Sequence, residues 1–111
     1  MVAYAPGKGD VVWIDFSPTR GHEQSGVRPA LVLSPKTYNA RSGLMVACPI
    51  TSMVKGYPFE VRIQAKITNG VIIADQVKNL DWQARKVSFA DKAPEAAITQ
   101  TQALIEALVL S

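Results

Sequence analysis

Short apolar runs separated by turn-forming residues predict a compact β structure for this chain. Turn signals such as Pro6-Gly7 and Asn69-Gly70 lie between the runs. We predict five strands, at Asp10–Phe16, Pro29–Leu33, Leu44–Ile50, Pro58–Ile63 and Val71–Val77. In the first strand, alternation assigns Val12, Ile14 and Phe16 to one face and Val11, Trp13 and Asp15 to the other. Residues 81–89 predict a short turn followed by a strand.

Two helices are predicted from their end signals and their periodicity. Ser34-Pro35 is typical of an N-cap followed by proline in the first turn, so a short helical turn is expected over 35–41. A longer helix is predicted over Pro94–Leu110. Its apolar stripe would consist of Ile98, Thr101, Leu104, Ile105 and Leu108. We expect this stripe to pack on a curled antiparallel sheet, and part of the helix to meet a partner.

Composition favours one domain over residues 1–111, since 48% of the 111 residues are hydrophobic and 19% are charged. Cys48 is the only cysteine, which excludes an internal disulfide and a Cys-rich zinc site and indicates a small core residue. The net charge of +3 permits a polyanionic partner without requiring one. Because the sequence contains neither a long apolar run nor a secretory signal, we expect a cytoplasmic protein without a membrane partner.

The titratable residues argue against several classes of nuclease. His22 is the only histidine, so a mechanism that needs two histidines is excluded. The carboxylates are scattered without the spacing of metal ligands, and we therefore expect no metal and no other cofactor. The polar loop 17–28 remains, with an acid, an imidazole and a base close together. Loops of this length in small barrels are usually functional.

Around this loop the sequence resembles the MazF/PemK family of toxin endoribonucleases. The matching residues are Gly9-Asp10, Trp13, Asp15-Phe16, Pro18, Gly21, Glu23-Gln24, Gly26, Arg28-Pro29-Ala30, Val32-Leu33-Ser34, Tyr38-Asn39, Pro49, Thr51, the segment Lys-Gly-Tyr-Pro-Phe-Glu-Val at 55–61, the segment Ala-Asp-Gln-Val-Lys at 74–78, Trp82 and Ala84-Arg85. The resemblance continues loosely into the terminal helix. His22 lies where the family tolerates other residues, so no essential role is expected for it.

The resemblance implies a mainly β fold with short helices: an SH3-like (PemK/CcdB-type) curled antiparallel barrel with a C-terminal helix. It also implies the toxin of a type II toxin–antitoxin system. Such a toxin cleaves single-stranded RNA without a metal, at specific sequences, and so inhibits translation and growth. The RNA 2′-hydroxyl attacks the adjacent phosphorus and leaves a 2′,3′-cyclic phosphate and a 5′-hydroxyl. The implied partners are the RNA substrate, a second copy in a homodimer, and a cognate antitoxin with an acidic flexible tail.

Three residues are implied to be catalytic. Arg28 would hold two phosphate oxygens at once, and the Thr51 hydroxyl would donate to the same phosphate. Glu23 would be the general base or would orient Arg28, and the resemblance leaves open which of the two handles the 2′-hydroxyl proton. The structural alternatives are an arginine in an ordinary ion pair, a threonine that ends a strand and a solvated loop carboxylate.

RNA contacts are expected from aromatic, basic and polar side chains, because single strands are held by stacking and by backbone charge. The candidates are Trp13, Asp15, Phe16, Gln24, Lys55, Tyr57, Gln76, Lys78 and Arg85. For Phe16 and Tyr57 a core position is an equal alternative. Trp82 is expected in the core or, with the terminal helix, at the dimer contact. We expect the acidic antitoxin tail and the RNA to compete for the same surface.

Two other functions are weighed against this one. A non-catalytic SH3-like module would dock a peptide on Trp13 and Tyr57, and Arg28 would be incidental. A gyrase-poisoning toxin of the same fold would end in Trp-Gly-Ile, whereas this chain ends Leu108-Val109-Leu110-Ser111, which argues against that function.

Overall fold

The computed structural model describes residues 4–17 and 26–111. The strands in this part are β1 Asp10–Asp15, β2 Val27–Val32, β3 Leu44–Thr51, β4 Glu60–Gln64, β5 Asn69–Ile73, β6 Lys78–Asp81 and β7 Ser88–Lys92. The helices are α1 Lys36–Ser42 and α2 Glu95–Leu110, and a 3-10 turn, Ala74–Gln76, joins β5 to β6. No described helix is both long enough and apolar enough to cross a lipid bilayer.

All strand pairs are antiparallel, and the sheet runs in the order β4-β5-β3-β2-β1-β7. The long strand β3 is shared: its first half pairs with β6, its middle with β2, and its last residues, Ile50 and Thr51, with β5. The sheet therefore curls around β3. The predicted mainly β fold, a curled antiparallel sheet with a C-terminal helix, is confirmed.

The core lies on both faces of the curled sheet. On one face, Val12, Ile14 and Phe16 of the β1 segment pack with Met45, Leu80 and Trp82, as the alternation predicts. On the other face, Val11 packs with Leu31, Cys48, Ile50, Ile72 and Ile98, and so lies beneath α2. The helix buries Ala97, Ile98 and Thr101 and half-buries Leu104 and Ile105, whereas Leu108 is 45% exposed. The predicted stripe is thus confirmed except at its last position.

The prediction of one strand over Val71–Val77 is wrong. β5 ends at Ile73, the 3-10 turn follows, and Lys78–Asp81 forms a separate strand. The chain must turn here because β5 pairs with the end of β3, whereas β6 pairs with its beginning. The predicted turn signal at Asn69-Gly70 lies inside β5 instead. After β6, the predicted order of a turn and then a strand is confirmed, but the strand, β7, begins only at Ser88 and continues to Lys92, beyond the predicted range 81–89.

A buried polar cluster explains several of the residues that matched the family. Asn39 is fully buried and its Nδ2 donates to the carbonyl oxygens of Pro6 and Ser34, at 2.8 and 3.0 Å. The Ser34 hydroxyl donates to Asn39 Oδ1 at 2.6 Å, and Trp82 Nε1 donates to the Asn39 carbonyl at 2.8 Å. Trp82 therefore belongs to the core, which is one of the two placements expected for it.

Candidate functional site

The pairing register of β2 and β3 brings Arg28 and Thr51 together. Ala30 pairs with Pro49, and continuing this antiparallel register by two residues sets Arg28 opposite Thr51. Side chains that face each other in this way lie on the same side of the sheet. Arg28 Nη1 is 3.5 Å from Thr51 Oγ1. Two residues that are 23 positions apart in sequence thus form one polar site where the two strands begin and end.

The Thr51 hydroxyl is held with its proton available for donation. Thr51 is only 5% exposed, and its Oγ1 accepts the backbone N–H of Met53 at 3.1 Å in addition to facing Arg28. A hydroxyl offers two acceptor positions and one donor proton. With its acceptor positions facing two N–H donors, Thr51 is arranged to donate its proton to a bound anion.

Gly70 makes the position of Thr51 possible. A β-carbon at residue 70 would lie 2.3 Å from the carbonyl oxygen of Thr51 and 3.0 Å from its carbonyl carbon. Any other residue at this position would therefore push β5 away from the end of β3, where Val71 pairs with Thr51. The sequence pattern placed Gly70 in a turn and gave no signal of this packing role.

Tyr57 and Asp75 form a second polar pair. Tyr57 is half-buried and its hydroxyl donates to Asp75 Oδ1 at 2.5 Å. Burial and the neighbouring carboxylates of Asp75 and Glu60 raise the pKa of Tyr57, so its phenol stays protonated and remains a donor at neutral pH. Asp75 was not among the candidates, although it directly precedes Gln76 in the segment that matched the family. Gln76 closes the 3-10 turn, and Lys78 begins β6 opposite Ala47.

A surface groove of about 740 Å³ lies beside β1. Its lining includes Trp13, Asp15, Val27, Asp81, Arg85, Lys86 and Ser88. The Trp13 side chain is 44% exposed, which leaves an aromatic face beside two cations. Arg85 Nη1 donates to the backbone carbonyls of Asp15, at 2.6 Å, and Ser17, at 3.3 Å, and so ties the turn after β6 to the end of β1.

The remaining predicted site residues lie in different environments or outside the described residues. Phe16 is 2% exposed and packs in the core, so of its two predicted roles the core position is right and the RNA contact is wrong. Lys55 is exposed in the segment that follows β3. Glu23 and Gln24, like His22, lie outside the described residues. Within residues 4–17 and 26–111, no group of three His, Cys, Asp or Glu side chains is placed to hold a metal ion.

Other titratable groups serve the fold. Burial would raise the pKa of Asp10, but hydrogen bonds from Lys92 Nζ, the Gly7 N–H and the Tyr4 hydroxyl outweigh it and lower that pKa. Burial, with the nearby Asp75 carboxylate, raises the pKa of Cys48 to about 12, so its thiol stays protonated at neutral pH. Neither group lies at the surface formed by Arg28 and Thr51.

Known proteins similar to this chain point to one family. Residues 7–109 match the family described as PemK-like, MazF-like toxin of type II toxin-antitoxin system. The endoribonuclease toxin MazF of Escherichia coli (strain K12) is 51% identical over 82 residues, which cover 74% of each chain.

Two solved structures from Deinococcus radiodurans agree with this result. A crystal structure of MazF is 44% identical, has a TM-score of 0.94, and is matched over 98% of this chain and 100% of that one. A crystal structure of MazE-MazF is 41% identical, has a TM-score of 0.85, and is matched over 96% and 97% of the two chains. The resemblance in the sequence is thereby confirmed, and the chain belongs to the family of PemK-like and MazF-like toxins of type II toxin–antitoxin systems.

Proposed function

We propose that this chain is the toxin of a type II toxin–antitoxin system and that it cleaves single-stranded RNA without a metal ion. The observation that carries the proposal is the placement of Arg28 Nη1 3.5 Å from the buried Thr51 hydroxyl. A guanidinium and a hydroxyl side by side provide donors for a phosphate that gains negative charge. The endoribonuclease toxin MazF of Escherichia coli, which is 51% identical over 82 residues, supports the same reaction class.

In the proposed reaction, the RNA 2′-oxygen forms a bond to the adjacent phosphorus and the bond from phosphorus to the 5′-oxygen breaks. Arg28 donates hydrogen bonds to two non-bridging oxygens of the phosphorane, and the Thr51 hydroxyl donates a hydrogen bond to one of them. We assign the 2′-hydroxyl proton to Glu23, because arginine stays protonated at neutral pH whereas a carboxylate can accept a proton. The 5′-oxygen takes a proton from water and leaves as a hydroxyl, and a 2′,3′-cyclic phosphate remains.

In this proposal, aromatic, basic and polar side chains hold the RNA strand. Trp13 offers an exposed ring on which a base stacks, and Asp15 in the same groove offers an acceptor for base N–H groups. The exposed Lys55, in the segment after Thr51, attracts the phosphate backbone, and Tyr57, whose hydroxyl proton is held by Asp75, offers its ring for stacking. Gln24, Gln76, Lys78 and Arg85 complete the proposed contacts.

The proposed protein partners are the antitoxin and a second copy of the chain. The MazE-MazF structure from Deinococcus radiodurans supports an antitoxin that binds this fold. A flexible acidic tail would suit the same cations and aromatic rings as RNA does. The outer face of α2 favours a homodimer, since Leu108, Val109 and Leu110 are exposed beside an apolar groove of about 510 Å³. We place the protein in the cytoplasm, where messenger RNA is available.

The test is cleavage of single-stranded RNA by the purified protein in excess EDTA. We expect fragments that carry 5′-hydroxyl and 2′,3′-cyclic phosphate ends, and sequencing of the 5′ ends will give the recognition sequence. Loss of cleavage in EDTA that magnesium or manganese restores would contradict the metal-free reaction. Intact RNA bound without cleavage would instead favour a non-catalytic binding module.

A further inference from the structure

The segment 52–57, between β3 and the turn into β4, is shaped by side-chain acceptors. The backbone N–H of Met53 donates to Thr51 Oγ1, and the N–H groups of Lys55 and Gly56 both donate to the carboxylate of Glu60. These three amides therefore end on side-chain oxygens instead of the backbone carbonyls of a sheet. The path of the segment depends on those side chains.

Glu60 holds two consecutive peptide groups. Its Oε2 accepts the Lys55 N–H at 2.9 Å, and its Oε1 accepts the Gly56 N–H at 2.8 Å. Two parallel bonds from one carboxylate fix an orientation as well as a distance. Gly56 has a φ of 81°, a left-handed conformation that glycine adopts without steric cost, and this brings both amides toward the carboxylate.

Glu60 is itself fixed by the sheet. It is the first residue of β4, where it pairs with Ile73 of β5, and its N–H donates to the Tyr57 carbonyl at 3.1 Å. The other end of the segment is tied to Thr51 through Met53. The sheet thus controls, through one carboxylate, where the exposed Lys55 lies relative to Thr51.

We propose that Glu60 is a positioning residue for RNA cleavage: its carboxylate holds the 52–57 segment so that Lys55 meets the RNA phosphates beside Thr51. The proposal rests on the proposed function. It predicts that removing the Glu60 carboxylate weakens RNA binding, whereas charge alone predicts stronger binding. The loss of a negative charge near a polyanion reduces repulsion, whereas the loss of the two hydrogen bonds to the Lys55 and Gly56 amides releases the segment that carries Lys55.

The experiment compares Glu60→Ala and Glu60→Gln with the wild type, and uses Glu95→Gln as a charge-matched control on the exposed first turn of α2. Binding is measured with an RNA that has a 2′-deoxy group at the scissile position, and cleavage with the matching ribose substrate. We expect Glu60→Ala to raise the Kd and KM roughly tenfold with a much smaller change in kcat. Glu60→Gln, which keeps one carbonyl acceptor, should recover part of the loss, and Glu95→Gln should behave as the wild type.

A double-mutant cycle with Lys55→Ala tests whether Glu60 acts through Lys55. We expect the double variant to bind RNA about as weakly as either single variant, because both remove the same contact. The salt dependence of binding should become shallower in both single variants, by about 0.7 in log–log slope for one lost phosphate contact on a single strand. Additive losses, or an unchanged slope in Glu60→Ala, would overturn the proposal.

A measurement that does not depend on RNA separates this proposal from the proposed function. Hydrogen exchange of the Gly56 amide should speed up in Glu60→Ala while the amides of the β3–β6 pairing stay protected. If the wild type neither binds nor cleaves RNA, the proposed function fails, whatever the exchange shows. If the wild type cleaves RNA and Glu60→Ala binds it as tightly or more tightly, the positioning role is wrong and the proposed function stands.

Discussion

Gly70 lies against the backbone of Thr51 so closely that a β-carbon at residue 70 would be 2.3 Å from the Thr51 carbonyl oxygen. Gly70 is not among the glycines with positive φ, so this contact, and not backbone strain, is what excludes a side chain there. The contact joins a residue with no functional group to the threonine proposed to bind phosphate. Its consequence can be measured directly.

We predict that Gly70→Ala lowers kcat by at least about tenfold and destabilises the fold by about 1–3 kcal/mol, the usual cost of overpacking. The added methyl group must displace β5 or the end of β3, and either shift moves Thr51 away from Arg28. Cleavage kinetics and urea unfolding check the two parts. Asn69→Ala, an exposed neighbour on the same strand, is the control and should retain wild-type activity.

Thr51→Val tests the role of the hydroxyl, since it keeps the side-chain shape and removes the O–H. A donor to the developing phosphorane is worth about 2–4 kcal/mol, so kcat should fall by about 30- to 1,000-fold. Because the hydroxyl also accepts the Met53 N–H, KM should rise as well, but by less than kcat falls. Single-turnover cleavage of a short RNA measures this effect. A kcat within threefold of the wild type would remove Thr51 from the catalytic set.

Arg28→Ala should abolish cleavage and leave the fold intact, because Arg28 is half-buried and contributes little apolar surface. Arg28→Lys keeps the charge without the two-pronged donor and should restore only a small part of the activity. Circular dichroism confirms the fold of each variant. Arg41→Ala, which alters an exposed arginine at the end of α1, is the control. Cleavage by Arg28→Ala near the wild-type rate would show that the site lies elsewhere.

Asp10 predicts an acid-dependent loss of stability. Its pKa in the folded protein is lowered, whereas in the unfolded chain it is near the ordinary value of about 3.9. A carboxylate of this kind stabilises the fold fully above the unfolded pKa, and the contribution is lost as the pH falls through the folded pKa.

Asp10→Asn should therefore be less stable than the wild type at pH 7, and the difference should shrink as the pH is lowered below about 4. Urea unfolding at a series of pH values measures this. Lys92→Gln should reproduce the part that comes from the 2.7 Å ion pair, and salt should weaken that part because Lys92 is largely exposed. A difference that stays constant down to pH 2 would contradict the assignment.

RNA and an acidic antitoxin tail are predicted to compete for one surface. The cations Arg28, Lys55 and Arg85 and the rings of Trp13 and Tyr57 would serve both ligands. A competition assay with a non-cleavable RNA and a peptide rich in Asp, Glu and apolar residues should show mutual displacement, and both should bind more weakly as salt rises. Simultaneous binding with unchanged affinities would place inhibition at a remote site.

The sequence pattern was sufficient for the elements with strong periodicity. β1 follows from alternation and α2 from its helical stripe, and their faces are those expected except at Leu108. β3 follows from its apolar run, which gives a strand without assigning its faces. β6 was not distinguished as a separate strand because it has four residues, of which Leu80 alone is buried, so no alternation can be measured. Pairing partners also lie far apart in sequence, which is why the shared role of β3 became visible only in the fold.

The residues of the candidate site could be predicted only in part. Arg28 and Thr51 were named from a family resemblance, and the register of β2 and β3 explains why they meet. The roles of Gly70 and Glu60 could not be predicted. Gly70 allows a close approach of two backbones and Glu60 accepts hydrogen bonds from two backbone amides, and neither role has a signal in composition or spacing. For Phe16 the sequence leaves RNA contact and core as equal alternatives, because an aromatic residue at a strand end fits both, and the structure selects the core.

The pairing of β1 with β7 has a consequence for the timing of activity during synthesis. The groove beside Trp13 is lined by residues from β1 and by Arg85, Lys86 and Ser88, which the ribosome adds about 70 residues later. At ordinary translation rates this delay is about 4–15 s. A nascent chain that ends before Ser88 has no partner for the outer edge of β1, so it emerges without a complete groove. The proposed RNA contact of Trp13 thus forms late, after most of the chain has left the ribosome.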